Sequence, residues 1–199
     1  MATQGGGRQG QRTRTRDDIV RAAMGLLRTG RRPNAAEVAA AARVSRRTVF
    51  LYFPTLDQLL VDARIGLLSE YTIDAALDAV GEDGDAEARM AALVNEIIVN
   101  ARETLPLGRA LIRLTVEQDG SHPKRGARRI RWIEKALAPV RDRLSAEGFE
   151  RLVSSLAIVI GWEGLIVLGD IRGLGEAAQS ETVRWASRAL IAAALAEEA

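Results

Sequence analysis

The chain has no cysteine, one histidine and only two lysines, and each scarcity removes a class of chemistry. Without cysteine there is no disulfide framework, no thiolate metal site and no thiol nucleophile, which fits a reducing cytoplasm. The single histidine, His122, stands between Ser121 and Pro123 with no partner at metal-ligand spacing, and reads as a loop residue. Neither a phosphate-binding loop nor a His/Glu metal motif occurs, so no catalytic residue, cofactor or metal is expected. No uninterrupted apolar run is long enough to span a bilayer, which argues against an integral membrane protein. The first ten residues, rich in Gly and Gln, lack the apolar core of a signal peptide. Useful β-alternation is missing throughout. The chain reads as all-α.

What is present is a large apolar fraction and a lopsided charge. At 199 residues and 47% hydrophobic, the chain can build one large core or two small ones. Residues 1–53 hold eleven Arg against three acids (Asp17, Asp18, Glu37), a balance of +8. Residues 54–199 hold 17 basic and 23 acidic residues, a balance of −6. Scattered charge would mean only a solvated surface. A segregated basic end fits a polyanion-binding module joined to something that does not bind polyanions.

Residues 1–12 read as a flexible basic leader. Arg8, Arg12, Arg14 and Arg16 could follow a DNA backbone or enter a minor groove; a plain leader is the alternative. Helical periodicity starts at Thr15 with Ile19, Ala23, Leu26 and Leu27, and stops at Gly30 and Pro33. Two short helices follow within 34–53, the second starting at Ser45. Thr55 to Gln58 has the form of a capping box that opens a helix running to Val80. Gly81 to Gly84 is a break. Further helices are expected over 85–103, from Pro106 to the loop at Asp119–Pro123, over about 130–144, from Ser145 to about Gly169, and over 176–198. The total is about nine.

The helix over Leu152–Leu168 is apolar on nearly all sides, so it should be surrounded. The last helix carries a stripe of Val183, Ala186, Leu190, Ala193 and Ala194, small enough for close approach. A monomeric bundle could absorb both. Pairing of the two with their copies as a four-helix bundle, in a homodimer, is the more economical reading.

The most pointed chemistry lies in 34–53. Asn34 can accept from the Glu37 N–H while Glu37 reaches back, which fixes the first short helix. Ala39 to Ala42 keep it slim, and Ser45 caps the second. Val49 and Phe53 should face a core with Val44, leaving Arg47 and Leu51 outside, flanked by Arg46 and Thr48, with Phe50 and Tyr52 at the edges. Pro54 stops the helix. Such a face suits a major groove: Arg46 or Arg47 can contact guanine, and Leu51 a thymine methyl. The helix N-terminus and the hydroxyls of Thr48, Tyr52 and Thr55 suit phosphate.

The run Val38-Ala-Ala-Ala-Ala-Arg-Val-Ser-Arg-Arg-Thr-Val-Phe-Leu-Tyr-Phe-Pro-Thr-Leu-Asp-Gln-Leu-Leu60 resembles the signature of the tetracycline-repressor (TetR) family of bacterial regulators. The resemblance covers roughly residues 11–71. It implies a three-helix helix-turn-helix domain over 13–72, with the helix-turn-helix at 34–53, and a divergent helical domain over 73–199 for ligand and dimerisation. It also implies a homodimer, a palindromic double-stranded operator and a small-molecule effector. The DNA-binding residues would be Asn34, Arg43, Ser45, Arg46, Arg47, Thr48, Phe50, Leu51, Tyr52 and Thr55. Three positions depart from the pattern: Arg43 stands where Gly is usual, Phe50 where Tyr is usual, and Leu56 where Lys is common. Arg43 must therefore take a left-handed or adjusted conformation.

For an effector, Asn100 and Glu163 are polar residues set into apolar stripes, and Arg113, Glu117, Trp132 and Trp162 are further candidates. Each also has a structural reading: Glu163 could pair with an arginine, and the tryptophans could be plain core. Two other classes compete, a helical adaptor that binds protein and an all-α enzyme. The first leaves the charge segregation unexplained and the second has no motif. Replacing Arg47 by Ala is expected to lower affinity for a preferred DNA sequence selectively, whereas Thr55→Ala should weaken all sequences alike. Binding measured across a panel of sequences distinguishes them, and an unaltered preference in Arg47→Ala removes Arg47 from the reading face.

Overall fold

In a computed structural model the described residues are 5–81, 85–116 and 127–198, and among them nine α-helices and no strand occur. They are α1 (Gly5–Leu27), α2 (Ala35–Ala41), α3 (Arg46–Tyr52), α4 (Leu56–Val80), α5 (Ala86–Val116), α6 (Arg128–Ala136), α7 (Ala146–Val159), α8 (Trp162–Ile166) and α9 (Glu176–Glu197). The all-α class and the helix count agree with the periodicity. Glu117 and the His122 loop lie outside the described residues, as does most of the break after Gly81.

Several boundaries differ from expectation. Helix α1 begins at Gly5, so most of the expected flexible leader is helical, and Thr15 is an interior residue whose hydroxyl donates to the Gln11 carbonyl at 3.0 Å. Arg and Gln are good helix formers, so the helix extends past its last apolar position. Helix α5 does not stop at Pro106 but runs through it. An interior proline forfeits one hydrogen bond and costs about 3 kcal/mol. Buried Thr104 and Leu111 anchor the helix before and after it. The helix expected over 130–144 ends at Ala136 and continues as a 3₁₀ segment, Ala138–Arg143, because Pro139 lacks the N–H that an α-turn would need.

The chain divides into two compact units, Met1–Leu68 with Pro106–Ala127, and Ser69–Leu105 with Arg128–Ala199. The first division falls inside α4, near the expected boundary at 72/73, and the second falls at Pro106. The described residues 106–116 thus group with the N-terminal unit instead of the C-terminal one.

The core of the N-terminal unit draws Ile19 and Ala23 from α1, Val38 from α2, Val49 from α3, and Leu59 and Ala63 from α4. In the C-terminal unit Leu77, Leu93, Ile133, Leu137 and Leu156 are fully buried together, from α4 to α7. Buried Arg89 joins two helix ends there. Its guanidinium donates to the Gly81 carbonyl after α4 and, at 3.1 Å, to the Lys135 carbonyl in the last turn of α6. Helix C-termini are partly negative, which offsets part of the cost of burying the charge. On the surface, Arg102 donates Nε and Nη2 to Glu176 at 2.8 and 3.3 Å. These hydrogen bonds and the opposite charge hold the Glu176 carboxyl below its ordinary range and raise Arg102. That contribution is complete above the ordinary carboxylate range and fades as pH falls through the lowered value.

The apolar stretch after Ser145 departs most from expectation. Ser145 does cap α7, accepting the Gly148 N–H at 3.1 Å. The helix then breaks at Ile160–Gly161, resumes as α8, and ends in a π-helical turn, Val167–Ile171. Counted by average rather than by unbroken run, an 18-residue window within 146–171 reaches a mean hydropathy of 2.0, long and apolar enough to cross a bilayer by length and composition. Within the single chain Leu152, Leu156 and Leu165 are buried, whereas Ile158 is 76% and, beyond the expected helix, Ile171 77% exposed. The break has a clear cause. Gly161 has φ +147°, and the Arg129 guanidinium lies where a Cβ would project, donating to the Ile160 carbonyl at 3.1 Å and to Glu163 at 2.6 Å. Gly161→Ala is expected to destabilise the protein by about 2 kcal/mol or more, through backbone strain and loss of this contact. Urea denaturation of the full chain measures it, and a loss under half that size would show that the break tolerates a side chain.

Candidate nucleic-acid interface

The region from Asn34 to Thr55 is held by a chain of caps. The Asn34 side chain accepts the N–H of Ala36 at 2.9 Å and of Glu37 at 3.1 Å, and Glu37 accepts the Asn34 N–H at 2.7 Å. This capping box starts α2 as its sequence predicts. At the other end the Val44 N–H donates to the Ala39 carbonyl at 2.9 Å and the Arg43 N–H to Ala40 at 3.2 Å. That pair of bonds is a Schellman closure, and it places Arg43 at φ 55°. Arg43 therefore takes the left-handed conformation expected where glycine would be easier. Ser45 then caps α3, accepting the Thr48 N–H at 3.0 Å and meeting the Thr48 hydroxyl at 2.8 Å.

Helical geometry decides which side chains of α3 look outward. Val49 and Phe53 are fully buried, four residues apart on one face. Leu51, half a turn away, is 55% exposed, and Phe50 at the edge is 40% exposed. Arg46 and Arg47 are exposed; Thr48 is half-buried. Tyr52 corrects its assignment. Only 8% exposed, it packs in the core, because three residues on from Val49 it lies just 60° around the helix from that buried position. It is withdrawn as an open phosphate contact. Thr55 is exposed, and its hydroxyl accepts the Gln58 N–H at 3.2 Å, keeping its own proton to donate.

Ion pairing sorts the basic excess. Arg21 pairs with Asp18 at 2.9 Å, Arg31 with Glu37 at 2.7 Å, and Arg32 with Asp57 at 2.5 Å. Arg16, placed with the basic arm by its sequence position, is instead buried and paired with Asp62 at 2.5 Å. Its position on one face with Val20 and Ala23 is the signal that would have found it. Arg43, Arg46 and Arg47 make no ion pair with any described residue and are exposed. Net positive charge therefore remains at the α2–α3 turn and the first turn of α3, as it does at exposed Arg14 and Arg28 on and after α1.

The proposed ligand residues that are described divide between the two units. Arg113 is exposed in the N-terminal unit, whereas the other described candidates belong to the C-terminal unit. Asn100 donates to the Thr72 hydroxyl at 3.0 Å and to the Glu96 carbonyl at 2.8 Å, tying α5 to α4. Glu163 pairs with Arg129, its structural reading, and Trp132 is half-buried against the core. Trp162 is half-buried at the start of α8. A cleft of about 580 Å³ in the C-terminal unit is lined instead by Asp78, Gly81, Arg89, Lys135, Ala138 and Pro139. Lys135 there donates to Asp78 at 2.7 Å, which raises its pKa.

The chain matches no protein-family model, no curated protein and no solved structure.

The geometry of Arg43 sets stability against charge. Arg43→Gly is expected to stabilise the fold by about 1 kcal/mol, because glycine takes φ 55° without a Cβ penalty. The same change removes one exposed cation, so affinity for any DNA should fall. Paired melting and DNA-binding measurements test both, and a loss of stability would contradict the strain argument.

Proposed function

We propose that the protein is a sequence-specific DNA-binding transcriptional regulator of the TetR type, built around a helix-turn-helix formed by α2 and α3. One observation carries the reading: α3 buries Val49 and Phe53 while turning Arg46, Arg47 and Leu51 outward, with Arg43 beside them and no carboxylate of a described residue neutralising these arginines. A short helix with two exposed arginines and an exposed leucine carries both kinds of group that read a major groove, bidentate donors for guanine and an apolar contact for a thymine methyl. Exposed Thr55, Asn34 and Arg43, which flank α2 and α3 in the chain, supply phosphate contacts.

The protein acts as a homodimer on a palindromic operator in the cytoplasm. Support comes from the uncovered apolar side chains of the C-terminal unit, Ile158, Ile171 and, on α9, Trp185 at 64% exposure. Together with the small residues Ala189, Ala192 and Ala193, which are exposed on α9, they suit close packing of a second copy. A small molecule bound in the C-terminal unit of such a dimer would shift it between two states of different operator affinity, the usual thermodynamics of a released repressor.

Selection of bound fragments from the source genome, followed by a salt titration, tests the DNA reading. A preferred palindrome is expected, with log affinity falling linearly in log salt by about 0.9 per phosphate contact. Neither preference nor slope would end it. For the dimer, sedimentation of Ile158→Glu with Trp185→Glu is expected to yield a folded monomer with weakened operator binding. An unchanged dimer would place the interface elsewhere.

A further inference from the structure

The buried ion pair of the N-terminal unit is not explained by stability. Arg16 on α1 and Asp62 on α4 are each 1% exposed, with Nη2 and Oδ2 2.5 Å apart. Nε and Nη1 of the same guanidinium are buried with no hydrogen-bond partner among the described residues. A buried pair left partly unsatisfied does not repay its desolvation, and apolar residues of similar volume often serve stability as well or better. What the guanidinium does touch is informative. Its carbon lies 4.6 Å from the centroid of the Phe53 ring, and Phe53 is the fully buried residue that closes α3. The Phe53 N–H donates to the Val49 carbonyl at 2.9 Å, so the ring is tied directly to the last turn of that helix.

We propose that Arg16 and Asp62 are positioning residues for α3. The carboxylate from α4 fixes the guanidinium, and the guanidinium face fixes the Phe53 ring by a cation–π contact. Directional contacts of this kind specify one seat for the helix, whereas apolar packing alone accepts several. The outward aim of Arg46 and Arg47 then depends on two buried side chains that never reach the surface. This rests on the DNA-binding reading for its consequence, but not for its structural claim.

The test uses the full chain carrying Arg16→Met with Asp62→Leu, which replaces both members of the pair by apolar groups. It is expected to melt no lower than the parent, while the amides of Val49 and Phe53 exchange about tenfold faster and the affinity for the selected operator falls about tenfold with an unchanged salt slope. Unchanged exchange at both amides overturns the proposal. So does failure of the variant to fold, since the pair would then be holding the domain. Phe53→Leu supplies a second arm that keeps the ion pair and removes the ring. Faster exchange confined to α3 supports the proposal, and equal loosening of α1 counts against it. If the parent protein binds no DNA, the regulator reading fails, yet the exchange measurements still decide the positioning claim.

Discussion

A seven-residue helix does not hold itself together in water, because the cost of its first turn is never recovered over so short a length. Helix α3 is such a helix, and the exposed chemistry of the N-terminal unit stands on it. It persists because its N-terminus and one face are fixed from outside: the Schellman closure that ends α2 at Arg43 leads into the Ser45 cap, and Val49 and Phe53 are buried. Each N-cap contributes about 1 kcal/mol. Burying Val49 and Phe53 contributes about 1.5–3 kcal/mol apiece. The helix is therefore a product of its surroundings, and its outward residues are aimed by groups that face inward.

The same dependence explains how the arginines divide. Those near acids in space, Arg21, Arg31 and Arg32, are spent on surface pairs that bring little stability. Arg16 is spent in the core. Arg43, Arg46 and Arg47 are left over at the turn, where no carboxylate of a described residue reaches them. In the proposed reading this leftover charge is the working surface. Its cost is visible in Arg43, held at φ 55°, a conformation that a glycine would adopt more easily. A cation placed at a strained position, where the turn alone would favour glycine, fits selection for binding over stability.

The C-terminal unit is governed by a different constraint. Its most apolar segment is interrupted at Gly161, where the Arg129 side chain occupies the space of a missing Cβ and bonds both sides of the break. The interruption turns one long apolar helix into two pieces and leaves Ile158 and Ile171 facing outward. Uncovered aliphatic side chains of this size call for a partner surface, which the proposed dimer provides.

Fold class, helix number and the local caps at Asn34 and Ser45 were legible in the sequence, because period, capping residues and turn chemistry act within a few positions along the chain. So was the inward pair Val49 and Phe53, since a four-residue spacing on a helix leaves no choice of face. The burial of Tyr52 and Arg16, the passage of α5 through Pro106, and the break at Gly161 were decided by tertiary structure. In each case a neighbour distant in sequence changes the local balance: Asp62 supplies the charge that lets Arg16 enter the core, and Arg129 fills the space beside Gly161. Sequence periodicity reports what one helix prefers. Which buried charge it meets, and which apolar face stays uncovered, depends on long-range packing that no local pattern encodes.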